Sequence, residues 1–155
     1  MMDIAELITP DSVVAQLRAS TKKQLLQEIA KRAAQLTGLT ERTIFETLME
    51  RERLGSTGIG RGTAVPHGRV HNLARICGMF VRLEKPVEFD AVDDQPVDLV
   101  FLLLTPDGAG ADHLKALARV TRLLRDRSVC EKLRGADRAD ALYAILTDRT
   151  ASHAA

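Results

Sequence analysis

Residues 97–104 read VDLVFLLL, an apolar run interrupted by Asp98 alone. A strand that is nearly all apolar, without polar alternation, is one covered on both faces, so the run predicts a central strand of a sheet packed on two sides. That is the arrangement of an α/β domain rather than of a one-faced antiparallel sheet.

Working outward, Arg75 to Leu83 reads as a second strand, and the EKPVEFDAVDDQP segment between the two is turn-rich and acidic. Ser12 to Leu17 is a short strand. A helix follows an N-cap at Ser20 or Thr21, with Leu25, Leu26, Ile29, Ala33 and Leu36 on one face and Gly38 as its stop. A second helix is predicted over Glu41 to Arg53, its apolar stripe made by Ile44, Phe45, Leu48 and Met49. Downstream of the central run, Ala111 to Arg125 predicts a third helix that turns Leu114, Leu117, Val120, Leu123 and Leu124 inward. Shorter helices are expected over 127–134 and 137–148, and the closing ASHAA over 151–155 looks frayed. Strands interleaved with helices, and no repeat or linker, predict one α/β domain over residues 1–148. Its mixed β-sheet is covered by helices on both faces, and a flexible tail occupies 149–155.

The chain has 155 residues, enough for one domain with a sizeable core. Its 22 Lys and Arg stand against 21 Asp and Glu, so the global charge points neither to nucleic acid nor to a membrane surface. The two cysteines, Cys77 and Cys130, lack metal-like or disulfide-framework spacing and read as buried free thiols of a reducing compartment. The N-terminal MMDIAELITP has neither a basic region nor an apolar one, and the run Leu99 to Leu104 is too short to span a bilayer. A cytoplasmic protein that is not membrane-embedded is the expectation.

The chemistry concentrates in GSTGIGRGTAVPHGRV, residues 55–70. Glycines let backbone N–H groups approach an anion, Pro66 fixes φ ahead of His67, and Gly68 would let the chain leave sharply, a loop suited to presenting His67 to a phosphoryl group. The spacing Gly55 to Gly60 imitates a P-loop, but Arg61 and Gly62 stand where Lys and Ser or Thr are needed. Thr63 replaces the third glycine of a dinucleotide fingerprint, and the stretch follows a helix where that fingerprint follows a strand. A plain surface turn with an incidental histidine is the structural alternative. His71, four residues after His67, has a metal-like interval only on a helix, which Pro66 and Gly68 oppose, so no metal or other cofactor is expected. Asp90, Asp93 and Asp94 read as solvated turn residues. Ser56 and Thr57 either donate hydroxyls to a phosphoryl group or hydrogen-bond the turn.

RERLGSTGIGRGTAVPHG, residues 51–68, resembles the active-site signature of the EIIA domains of the phosphoenolpyruvate phosphotransferase system, in the fructose, mannitol and nitrogen-related class. QPVDLVF at 95–101, the His113–Leu114 pair and LYAIL at 142–146 extend the resemblance over nearly the whole chain. It implies that His67 receives a phosphoryl group from a small histidine phosphocarrier, through Nε2 in the family pattern. It further implies that His113 lies beside His67 and that Arg51 contacts the phosphate. On residue type alone, Arg53, Arg61 and Arg69 compete with Arg51. GSTGIG and the lack of a fused domain favour a stand-alone regulatory protein of the nitrogen-related branch. The alternative is a sugar-specific domain passing its phosphoryl group to the cysteine of a transporter EIIB.

Overall fold

The central run is strand β6 (Val97–Pro106) in the computed structural model, which describes residues 2–148. Every residue from Leu99 to Thr105 is buried. Along one edge β5 (Cys77–Val87) pairs antiparallel with β6, and β1 (Val13–Leu17) adds parallel to β5. Along the other edge two short strands, β3 (Thr63–Ala64) and β4 (His67–Val70), lie end to end and parallel to β6. Thr63 and Ala64 face Leu99 and Val100, while His67 to Val70 face Leu103 to Pro106. Strand β2 (Gly58–Gly60) closes antiparallel on β3, completing a mixed sheet of six strands.

The period-two alternation of β6 divides its side chains between two cores. Val100, Leu102 and Leu104 meet Leu25, Leu26 and Ile29 of α1 (Lys22–Thr37) and Ile44 and Leu48 of α2 (Glu41–Arg53). Leu99, Phe101 and Leu103 meet α3 (Ala111–Arg125), α4 (Arg127–Arg134) and α5 (Ala139–Leu146), with Ile4 and Leu7 near the N-terminus filling the rest. The predicted α/β architecture, with a mixed sheet covered by helices on both faces, is therefore the one observed. Local chemistry sets the helix ends. Thr21 accepts from the Gln24 amide, Thr40 accepts from the Thr43 amide, and Gly38 ends α1 at φ 77° with its N–H on the Ala34 carbonyl.

Some expectations need correction. Leu36 is 37% exposed and Leu114 is 66% exposed, so neither belongs to the core. Phe45, Met49 and Leu117 are half-buried at its margin. In α3 the inward position at the first turn is His113, one residue before the leucine that hydrophobicity favoured. Strand β5 starts at Cys77 rather than Arg75 and continues through Val87, taking in the first residues of the segment read as a turn. Cys130 is a buried free thiol, whereas Cys77 is half-buried. The tail predicted at 149–155 lies outside the described residues. Among the described residues, no helix is long and apolar enough to cross a membrane.

Candidate functional site

The glycine-rich segment is a chain of short strands rather than an open loop. Between Gly60 and Thr63, which are paired, Arg61 (φ 56°) and Gly62 (φ 78°) make a two-residue hairpin turn with both central residues left-handed. A Cβ at Gly62 would stand 2.6 Å from Arg134 Nη2 and 2.9 Å from Asp98 Oδ1. That space is filled by the Arg134 guanidinium, which holds Asp98 through two nitrogens and donates to the Arg61 carbonyl at 2.7 Å. Asp93 accepts the Arg61 and Gln95 amides, so this carboxylate clamps turns. The hairpin is thus fixed from α4 and from the loop before β6.

After Val65 and Pro66 the chain rejoins the edge of β6, and His67 is the first residue of β4, opposite Leu103. Its Nδ1 lies 2.8 Å from the Val65 carbonyl oxygen. A carbonyl can only accept, so Nδ1 carries the proton and Nε2 presents a bare lone pair. Arg51 Nε donates toward that Nε2 at 3.3 Å, and Arg51 Nη1 donates to the Gly55 carbonyl at 2.9 Å. Burial pushes the His67 pKa below the usual histidine value, and the Arg51 charge adds to this. The Val65 hydrogen bond and Glu52 act in the opposite direction. The net effect favours the neutral form of an oriented imidazole whose bare nitrogen lies against a guanidinium.

Gly68 continues the strand and does not turn it, in contrast to the sharp exit read from its sequence position. A Cβ there would lie 2.5 Å from Thr47 Cγ2. The missing side chain lets α2 press against β4, and Arg51, one helical turn beyond Thr47, thereby reaches His67.

His113, 8% exposed, sits on the first turn of α3, its ring centroid 5.8 Å from that of His67. Thr105, at the end of β6, holds His113 Nδ1 at 2.6 Å. Desolvation lowers the His113 pKa, and a proton on nearby His67 or the Arg69 charge lowers it further. Arg69 is two residues beyond His67 on the same strand, so period two sends both to one side of the sheet. Among the competing arginines, Arg51 contacts His67 and Arg69 acts electrostatically on His113. Arg61 occupies the hairpin turn, and Arg53 lies exposed on α2.

Ser56 and Thr57 have their hydroxyls engaged within the fold. Ser56 Oγ donates to the Phe89 carbonyl at 2.8 Å and accepts the Gly58 amide, while the Thr57 hydroxyl donates to Glu52. Of the two readings of these residues, this geometry matches the turn-bonding one. His71 is exposed and pairs with Asp107 at 2.8 Å. No cluster of three His, Cys, Asp or Glu side chains suited to a metal occurs among the described residues.

Sequence reasoning missed Glu52 and Thr105. Both were accessible through periodicity: Glu52 extends the Ile44, Leu48 stripe by one more turn, and Thr105 extends the Leu99, Phe101, Leu103 alternation by one more step. A polar residue in register with a buried stripe is the signal. Lys22, which pairs with Glu52, had none.

With this geometry in view, the comparisons with known proteins are specific. Residues 6–149 match the family described as "Phosphoenolpyruvate-dependent sugar phosphotransferase system, EIIA 2". The chain is 53% identical over 145 residues to the nitrogen regulatory protein of Bradyrhizobium diazoefficiens, covering 94% of this chain and 95% of that protein. The crystal structure of the nitrogen regulatory protein IIA-Ntr of Neisseria meningitidis superposes with a TM-score of 0.88 at 37% identity, covering 93% of this chain and 99% of that one. The mannitol enzyme IIA of Escherichia coli, solved in complex with phosphorylated enzyme IIB, shares the fold. Its TM-score is 0.78 at 20% identity, over 92% of this chain and 100% of that one.

Proposed function

Because this chain belongs to the EIIA 2 family of the phosphoenolpyruvate-dependent sugar phosphotransferase system, we propose that it accepts a phosphoryl group on His67 Nε2 from a histidine phosphocarrier and regulates partner proteins according to its phosphorylation state. The observation that carries the reading is the 2.8 Å contact between His67 Nδ1 and the Val65 carbonyl, which leaves Nε2 unprotonated beside Arg51.

The chemistry balances without an additional proton donor. The N–P bond of the donor phosphohistidine breaks as the bond from His67 Nε2 to phosphorus forms, and the electron pair departs on the donor nitrogen. The His67 proton stays on Nδ1, hydrogen-bonded to the Val65 carbonyl. A loose transition state leaves charge on the equatorial oxygens, for which catalysis is largely alignment and positive charge. Arg51 turns from the lone pair to the arriving oxygens, and His113, buried and neutral, donates from the ring nitrogen that Thr105 does not hold. Arg69 adds positive potential from the neighbouring strand position. Resemblance to the nitrogen regulatory proteins at 53% and 37% identity supports the regulatory branch over sugar transport.

The test is direct. Incubation with phosphoenolpyruvate, enzyme I and a histidine phosphocarrier is expected to place an acid-labile phosphate on the peptide containing His67, read by mass spectrometry. His67→Ala is expected to take up no label; label retained in that variant refutes the assignment.

A further inference from the structure

Glu52 is a carboxylate with only 5% of its side chain exposed, in the last turn of α2 where the buried stripe of Ile44 and Leu48 would continue. A buried carboxylate is costly unless its oxygens are fully engaged. Here they are: Lys22 Nζ lies 2.9 Å from Oε1, the Thr57 amide donates to Oε1 at 3.0 Å, and the Thr57 hydroxyl donates to Oε2. Lys22 is itself seated 4.5 Å from the centroid of the Phe89 ring, and the Phe89 carbonyl holds Ser56.

The hydrogen bonds continue from Thr57 to the reacting histidine. The Thr57 carbonyl accepts the Val65 amide at 3.0 Å, and the Val65 carbonyl takes the His67 Nδ1 proton at 2.8 Å. The contacts run from the Glu52 carboxylate through the backbone of Thr57 and of Val65 to the His67 imidazole. Each link fixes the place of the next: the N–H and C=O of Thr57, and those of Val65, belong to successive peptide groups joined through Cα, so the run acts by holding the backbone in position. At the other side of the ring, Arg51 is the immediate chain neighbour of Glu52 and contacts Nε2.

We propose that Glu52 is a positioning residue for phosphoryl transfer, anchoring through Thr57 and Val65 the carbonyl that holds the His67 Nδ1 proton and so keeping Nε2 bare and aimed. The proposal rests on His67 being the acceptor. It assigns to the glycine-rich segment a second task besides approach to an anion: carrying the constraint from a buried carboxylate to an imidazole two strands away.

The experiment uses the full chain with Glu52→Gln, which keeps the shape but cannot receive both the Thr57 donors and Lys22 as a carboxylate does. Long-range nitrogen NMR of the unphosphorylated protein reports the His67 tautomer without any phosphoryl transfer. Wild type is expected to show protonated Nδ1 and bare Nε2, and Glu52→Gln a mixture of tautomers. Transfer from a phosphorylated phosphocarrier is expected to slow about 10- to 100-fold at saturating donor, with donor KM unchanged, the size expected when a reacting group loses its alignment. Lys22→Met, which leaves the carboxylate and its Thr57 bonds in place, is expected to give a smaller effect of the same kind. A wild-type tautomer in folded Glu52→Gln overturns the proposal, as does a wild-type transfer rate. Wild-type protein that takes no label at all refutes the proposed function instead, and leaves the tautomer measurement to judge Glu52 alone.

Discussion

At the scale of single residues, the site is a nitrogen lone pair whose availability depends on pH. In the proposed transfer His67 attacks only when neutral, and burial holds its pKa below the ordinary value near 6.5. As pH falls, protonation therefore sets in later than for an exposed histidine. The midpoint of the acid decline in transfer rate at saturating donor is expected below pH 6.5. Arg51→Ala removes one of the influences that lower the pKa, so its profile should bend at higher pH than that of wild type. The same variant would lose the proposed charge-assisted contact to the phosphoryl oxygens, worth roughly 1.5–3 kcal/mol, which corresponds to a rate about 10- to 100-fold lower. Single-turnover kinetics from pH 5 to pH 8 would measure both effects. A profile centred at pH 6.5 in wild type, or one unmoved in Arg51→Ala, would contradict this account of the histidine's environment.

At the scale of secondary-structure elements, the geometry proposed for phosphoryl transfer depends on how close α2 can come to β4. Gly68→Ala would set a methyl 2.5 Å from Thr47 Cγ2, a β-branched side chain with little room to yield. The helix should shift outward and lift Arg51 from His67, costing roughly 1–3 kcal/mol of stability. Transfer should slow as well. Thr47→Ala removes the opposing methyl, and the nearest remaining Thr47 atom, its Cβ, lies 3.8 Å from the built position, so the double variant should recover most of both losses. Denaturant melts and transfer assays on the four proteins of the cycle test this coupling; additive losses would place the defect elsewhere.

The same element explains what the sequence could and could not tell. The bounds of α2 and α3 were legible because the apolar period of 3.6 is strong in both. Strands β3 and β4 were not, because their ladder partners lie on β6, 36 residues downstream (Thr63 to Leu99, His67 to Leu103), and the glycines of β2 carry no pleat pattern to read. Leu114 was assigned to the core on hydrophobicity, yet tertiary packing turned His113 inward, where Thr105 satisfies it. The candidate site was largely visible as a motif. The hydrogen bonds that orient it, from Val65, Thr105 and Glu52, depend on pairing between distant segments and were visible only in three dimensions.

At the scale of the whole molecule, three elements from both sides of the sheet converge on the histidine pair: α2 brings Arg51, β4 brings His67 and Arg69, and α3 brings His113. A partner docking over His67 must therefore touch the surface whose charge the proposed phosphoryl group would change. In the unphosphorylated state that surface offers a neutral imidazole edge flanked by Arg51 and Arg69. Phosphorylation of His67, as proposed, would replace the edge with a strongly anionic group that repels an acidic partner and opposes an apolar one through its desolvation cost. Binding should accordingly favour the unphosphorylated protein, and His67→Ala, held in that state, should bind under all conditions. Affinity capture with the phosphorylated protein, the unphosphorylated protein and His67→Ala provides the comparison, with captured partners then titrated individually against each form. Partners retained by the last two and released from the first are the expected result. If binding is indifferent to phosphorylation, while the phosphoryl group passes efficiently to the cysteine of a transporter EIIB, the regulatory reading gives way to sugar transport; the acceptor chemistry at His67 is common to both.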